Sequence, residues 1–307
     1  MPAYIPTPTS QGLTVSSYPG KFANLDDSEP QLRTRRKTIT WDETSIDELG
    51  PQQRYSSWPL IEKSCRGPKP YPAWLIEDAA AIDLELGVLK TGKEGEVFLI
   101  ERATSQRSVL LAAKRYRKRD QLQFSRSQSY SEGRSARRSR DNRAIDNNSS
   151  YGREIAAMQW ASAEWTYLRR CHAAGIPVPY PVQIEGTEIL MEFIADPDRP
   201  GVAAPRLQQL PRNDPRLPML WDQLAEAMEK FAAIGIAHGD LSAYNLLVAG
   251  ERLVVIDVPQ CVDLAGNLHG LDFLHRDCVN MCDWFTSKGL ERDADALFTS
   301  LLASMFA

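Results

Sequence analysis

Cysteine is scarce in this chain, with five in 307 residues. Cys65, Cys171, Cys261, Cys278 and Cys282 show no paired spacing of a disulfide framework. Cys278 and Cys282 lie one helical turn apart, but no second pair completes a four-ligand metal set, so the expectation is buried free thiols. No apolar run approaches the roughly 18 residues a membrane helix needs. The opening "MPAYIPTPTSQG" lacks a basic start and an apolar core, so no signal peptide is expected. A large charge imbalance is absent too: the formal net charge of -4 gives no global reason to expect a nucleic-acid partner. Hydrophobic content of 43% and charged content of 25% suit a soluble globular protein of one large or two modest domains, expected in the cytoplasm.

Residues 1–55 are rich in Pro, Ser, Thr and Gln without apolar period and are expected to form a disordered arm. In "YPAWLIEDAAAIDLELGVL" (71–89), Trp74, Leu75, Ala79, Ile82 and Leu86 recur near helical spacing, which predicts a helical extension over 56–84. "LGVLKTGKEGEVFLIER" reads as strand, glycine turn and strand, and "SVLLAAKRYRK" as a third strand with Lys114 near its end. A polar, basic stretch follows over 117–150 and is expected to be a flexible loop. "MQWASAEWTYLRRCHAAGI" predicts an amphipathic helix ending at Gly175. "VQIEGTEILMEFI" predicts a hairpin turning at Glu185-Gly186. After a Pro-rich loop (197–215), "PMLWDQLAEAMEKFAAIGI" predicts a long helix and "LDFLHRDCVNMCDWFTSKGL" another. This order implies an α+β chain with a small β-rich lobe (85–194) and a larger helical lobe (195–307).

Two short stretches carry the chemistry. "HGDLSAYNLLV" places Asp240 five positions before Asn245, and "RLVVIDVPQ" ends an apolar run on Asp257. Two acids and an amide at the ends of apolar strands match the parts of phosphoryl transfer. One carboxylate orients the attacking hydroxyl or takes its proton. The other, with the amide oxygen, holds magnesium, which prefers oxygen ligands. Lys114 on its strand and Glu164 on the amphipathic helix match the lysine–glutamate pair that positions nucleotide phosphates. "TGKEGEV", with Gly92 and Lys93, would cover the phosphates with backbone N–H groups, although it is not a full G-x-G-x-x-G pattern.

The stretches "TGKEGEVFL", "AAKRYR", "AGIPVPYPV", "LMEFI", "HGDLSAYNLLV" and "VVIDVPQCVD" resemble, in order and over about 85–285, the RIO family of atypical protein kinases, especially bacterial members related to its first subfamily. The resemblance implies a trimmed protein-kinase fold with a cleft for ATP and magnesium between two lobes. It implies Asp240 as catalytic acid and Asn245 and Asp257 as metal ligands. Lys114 and Glu164 become the phosphate-positioning pair. "MEFI" becomes the hinge, with Met191 behind the adenine and backbone groups of Glu192 and Ile194 at its edge. In that family the counterpart of Asp257 is implicated as a phosphate acceptor during ATP hydrolysis. The chain departs from conventional kinases in having Ser242 two positions after Asp240 and Val258-Pro259-Gln260 after Asp257, with some fifty residues beyond. Within the turn, Gly95 and Glu96 stand where the family more often has Ala and Asn or Asp.

The implied activity is a serine/threonine protein kinase or ATPase with an unknown protein acceptor. Two other readings stay open: a small-molecule phosphotransferase of the aminoglycoside or choline kinase type, and a nucleotide-dependent binding switch. "SRSQSYSEGRSARRSRDNR" (125–143) sets Arg126, Arg134, Arg137, Arg138, Arg140 and Arg143 against Glu132 and Asp141. It reads either as a solvated loop or as a contact for RNA or a ribosomal precursor.

Overall fold

The computed structural model describes residues 49–92, 95–117 and 150–305. The first of its two layers is a sheet of six strands among the described residues: β1 (Gln53–Tyr55), β2 (Ile82–Thr91), β3 (Gly95–Ala103), β4 (Ser108–Tyr116), β5 (Pro181–Glu185) and β6 (Glu188–Glu192). They are hydrogen-bonded in the order β1-β2-β3-β4-β6-β5, and each neighbouring pair is antiparallel. Helix α1 (Ser150–Ala173) lies between β4 and β5 in the chain and ends before Gly175, whose φ of 69° suits glycine. The predicted hairpin turns at Glu185-Gly186. These elements and the helices below give the expected α+β, two-lobed, kinase-like architecture.

Period-two alternation divides the sheet into two working faces. On the outer face Ile100, Leu111, Ala113, Val182 and Leu190 are buried beneath Trp58 and Leu75. On the inner face Leu89, Leu99, Ala112 and Phe193 form one cluster, while Tyr116 and Ile189 pack on Ala157, Ala161 and Trp165 of α1.

The cover on the outer face corrects the predicted helical extension over 56–84. This stretch holds one short 3-10 turn (Lys63–Cys65) and bends, and from Ile82 it is strand β2. Pro68, Pro70 and Pro72 interrupt any helical ladder ahead of Trp74. Ile82 and Leu84 are claimed by cross-strand pairing with Ala103 and Glu101, so sheet register overrides their helical spacing. Strand β1 falls within the last residues of the predicted arm and pairs with β2.

A buried polar chain pins this cover. Arg102, fully buried, donates to both Asp83 oxygens at 2.7 and 2.9 Å and to Gln183 Oε1 at 3.1 Å. Gln183 Nε2 donates in turn to Ser57 Oγ at 2.9 Å. The cover also reaches α1, where the Ser64 carbonyl accepts from Trp165 Nε1 and Arg169.

The second layer is mainly helical. A two-strand ribbon, β7 (Ala195–Asp196) and β8 (Arg199–Ala203), leads out of the sheet, so the Pro-rich loop contains ordered strand. Helix α2 (Leu217–Ala233) buries Leu217, Leu220, Leu224, Met228 and Phe231, three or four residues apart. Next come β9 (Ile236–Ala237), the hairpin β10 (Leu246–Ala249) and β11 (Arg252–Val255), and β12 (Val262–Asp263), which pairs back to β9. Helices α3 (Gly270–Ser287) and α4 (Ala294–Ser304) complete the core through Met281, Cys282, Phe285 and Leu301. Cys278 and Cys282 are buried free thiols as expected, and burial pushes them up to about 12 and about 11.

Breaking the Arg102–Asp83 pair leaves a buried charge without its partner. Asp83→Ala should therefore destabilise the protein by about 3–5 kcal/mol, whereas replacing both residues with apolar ones of similar volume should cost far less. Denaturant midpoints of the two variants check this; equal losses would reject it.

Candidate active site

Between the sheet and the helical layer lies a cavity of about 300 Å³. Its apolar end is walled by Leu89, Ala112, Met191 and Ile194, and its polar end by Gly92, Gly95, Lys114, Glu164 and Asp257. Of the residues predicted for the site, Gly92, Lys114, Glu164, Met191, Glu192, Ile194 and Asp257 all line this space. Lys93 lies outside the described residues, as does the basic segment 125–143.

Lys114 is the junction. Strand β4 sends its ammonium inward, where it donates to Glu164 Oε1 at 2.8 Å and Asp257 Oδ1 at 2.7 Å. Glu164 is buried because it occupies the packed stripe of α1 with Ala157, Ala161, Trp165 and Leu168. Its second oxygen accepts from the Tyr116 hydroxyl, two positions beyond Lys114 on the same strand face. Burial disfavours the charged form of Lys114, but Asp257 and Glu164 outweigh it and hold the ammonium's pKa well above the usual value. For Asp257 burial again opposes charge, and Lys114 and then Lys90 overcome it, so its carboxyl stays well below the ordinary range. Burial pushes Glu164 upward against the pull of Lys114.

The hairpin β10–β11 explains why the amide and this acid meet. Leu246 pairs with Val255, so Asn245 and Asp257 flank the open end of the hairpin. The Ile256 N–H donates to the Asn245 carbonyl at 2.9 Å and closes that end. The Asn245 side-chain nitrogen donates to the Asp240 carbonyl at 2.9 Å, and Asp257 sits at a φ of 66°, uncommon for a residue with a Cβ. Asp240 opens to solvent beyond the cavity lining. Nearby atoms still strip part of its hydration; that and the Asp257 charge raise its carboxyl, against His238 and Arg276.

The loop carrying Asp240 is held from behind by residues that sequence reading missed. Asp277, 1% exposed, accepts from the N–H groups of Gly239 and Leu241 at 2.8 and 2.9 Å. Arg276 donates to the Gly239 carbonyl, and Asn280 Nδ2 to the Leu241 carbonyl at 3.2 Å. All three project from α3. The signal was present: Asp277 sits among Phe273, Leu274, Cys278 and Met281 in the buried stripe of that helix, where an acid persists only with partners.

The glycine turn also accounts for one departure noted in the sequence. A Cβ at Gly95 would lie 2.2 Å from the Arg115 carbonyl oxygen, so glycine fits here without displacing β4. The Gly92 N–H donates to the Gly95 carbonyl at 2.8 Å and closes the turn.

The donor set suits magnesium. Asp257 and Asn245 are oxygen-bearing residues at the same end of the hairpin, Asp257 lining the cavity and Asn245 outside its lining, and the bond from the Asn245 nitrogen commits its donor side and leaves the amide oxygen for other partners. Among the described residues no cluster of three or more His, Cys, Asp or Glu side chains is arranged for a metal. Two protein ligands are nonetheless the usual complement for magnesium that shares phosphate oxygens and water.

Comparison with known proteins accords with this geometry. The RIO domain family model matches residues 100–297. The RIO-type serine/threonine-protein kinase Rio1 of Haloferax volcanii is 31% identical over 277 residues, covering 90% of this chain and 87% of that protein. Human serine/threonine-protein kinase RIO1 is 33% identical over 127 residues, but the match spans only 22% of the human protein. A solved Rio2 kinase–ADP/Mg2+–phosphoaspartate complex from Chaetomium thermophilum shares the fold at a TM-score of 0.51 and 18% identity, covering 72% of this chain and 62% of that one. A cleft with Lys114, Glu164 and Asp257 at its polar end, a family model matching residues 100–297 and a relative alike along nearly its whole length lead to one conclusion: this protein belongs to the RIO family.

Proposed function

We propose that the cleft binds ATP with magnesium and transfers the terminal phosphate, as a RIO-type serine/threonine protein kinase with ATPase activity. The observation that carries this reading is Lys114 held between Glu164 and Asp257 at the polar end of an otherwise apolar cavity. The apolar end receives the adenine. The Glu192 N–H is engaged by the Tyr180 carbonyl and the Ile194 carbonyl by the Ala204 N–H, both at 2.9 Å. The Glu192 carbonyl and the Ile194 N–H are therefore the groups offered to the adenine edge.

Lys114 positions the phosphates, and Glu164 and Tyr116 fix its ammonium in direction. Asn245 and Asp257 hold magnesium, which when bound neutralises charge on the phosphates. Asp240, fixed through Gly239 and Leu241, orients the attacking group and accepts its proton. Asp257 is also an acceptor in this reading. Its carboxylate oxygen forms a bond to the terminal phosphorus as the bond to the bridging oxygen breaks and ADP leaves; water then hydrolyses the acyl phosphate. The Rio2 structure named for a phosphoaspartate supports this by its fold alone. Among the described residues no helix is long and apolar enough to cross a membrane. The arginine-rich segment 125–143 is assigned to a polyanion, RNA or a ribosomal precursor, on its charge.

Asp240→Asn should keep ATP binding while transfer falls by about 10²–10⁴-fold, measured with γ-labelled ATP. Wild-type turnover in that variant would remove Asp240 from the mechanism. Because the Asp240 pKa is raised, the ionised form is lost as pH falls earlier than for an ordinary aspartate, while Asp257 stays charged through that window. The acid limb of the rate profile should lie correspondingly high. Asp257→Ala should weaken magnesium-dependent nucleotide binding and abolish hydroxylamine-sensitive label; label that persisted unchanged would rule out this acceptor. For segment 125–143, replacing Arg134, Arg137, Arg138 and Arg140 with Ser should flatten the salt dependence of RNA binding by about one slope unit per lost contact, and equal slopes would reject the assignment.

A further inference from the structure

We propose that Lys90 is a second phosphate-binding cation of the cleft, acting beside Lys114 from the far side of the glycine turn; this rests on the ATP-binding reading above. Cross-strand partners project from the same face of a sheet. Val97 pairs with Lys114 on one side and with Lys90 on the other, and all three line the cavity. Lys90, Val97 and Lys114 thus form one row across the roof, with the two lysine Cα atoms two strand spacings apart, about 9–10 Å. The parallel row two residues along the strands is Leu99, Ala112 and Met191, which is wholly apolar. The roof has an apolar row toward the hinge and a row with a lysine at each end toward the turn.

A regular β2 would not give this arrangement. Leu89 is buried on the inner face with Leu99, Ala112 and Phe193, so strict alternation would turn its neighbour Lys90 outward. A bulge intervenes: Val88 pairs with Phe98 and Lys90 with Val97, leaving Leu89 as the extra residue. Bulges re-aim side chains, and this one places two consecutive residues on the cleft side, one apolar and one cationic.

Charge gives the row its use. Lys114 is shared between two carboxylates, and Asp240 adds a third acid close to Asp257. A nucleoside triphosphate entering this acidic end meets one lysine that two carboxylates already share, so a second cation adds to the neutralisation that magnesium would supply. Lys90 is the additional one, and it already bears electrostatically on Asp257.

The test is titration of the full chain with ATP, ADP and adenosine in the presence of magnesium. Lys90→Met should weaken ATP about tenfold or more, as expected for a lost charge-assisted hydrogen bond. ADP should weaken less and adenosine not at all, and Lys90→Arg should retain most of the ATP affinity. Lys90→Gln repeats the measurement in case the methionine disturbs the roof. Equal weakening of all three ligands would mean that Lys90 merely supports the strand, and unchanged ATP affinity would mean that it touches no phosphate; either overturns the proposal while wild-type ATP binding keeps the cleft reading intact. A wild-type chain that bound no ATP would instead overturn the cleft reading, and this proposal with it.

Discussion

The ammonium of Lys114, drawn out of water and shared between Glu164 and Asp257, is the interaction on which the rest depends. A buried ion pair is not a cheap source of stability, because desolvating the charges offsets most of their attraction. Its worth here is positional. Lys114 belongs to the sheet, Glu164 to the helix packed against it and Asp257 to the hairpin of the second layer, so three elements meet at one nitrogen. Any shift between the layers lengthens at least one of two charge-assisted hydrogen bonds.

Each partner is backed by packing of its own. The stripe of α1 that holds Glu164 is pressed on Tyr116 and Ile189, and the cover over the outer sheet face reaches the same helix at Trp165 and Arg169. Asp257 follows a strand that buries Leu253, Val254 and Val255 in the core. The Asp240 loop is set by Asp277, which spends both carboxylate oxygens on backbone N–H groups and so fixes the peptide units on either side of the acid. Asp240 and Asp257 sit on short turns, and the rigid elements beneath hold those turns in place.

Asn245 and Asp257 show how local pattern and register combine. Asn245 and Asp257 are twelve positions apart, and the hairpin between them brings them together because its strands are of equal length and in register. The apolar runs "LLV" and "LVVI" already implied two strands ending at the site. The Arg102 network shows the opposite case, since nothing local in "IDLEL" distinguishes a half-exposed acid from one sealed under a tryptophan-bearing cover.

The one-dimensional chain determined the components: strand, glycine turn, strand, the Lys114 strand, the Glu164 helix, and the two acids and amide that close apolar runs. These were legible because each rests on short-range physics, namely periodicity, glycine at turns and polar residues where apolar runs stop. Tertiary structure alone decided the rest. Residues 71–89 had helical spacing, yet Ile82–Thr91 became strand because pairing with β3 satisfies their backbone and buries their side chains. Lys114 meets acids 50 and 143 positions away, and no sequence window spans such distances. The bulge that turns Lys90 inward and the burial of Asp277 have the same origin: a side chain's direction and solvation are set by the neighbours that the fold places against it.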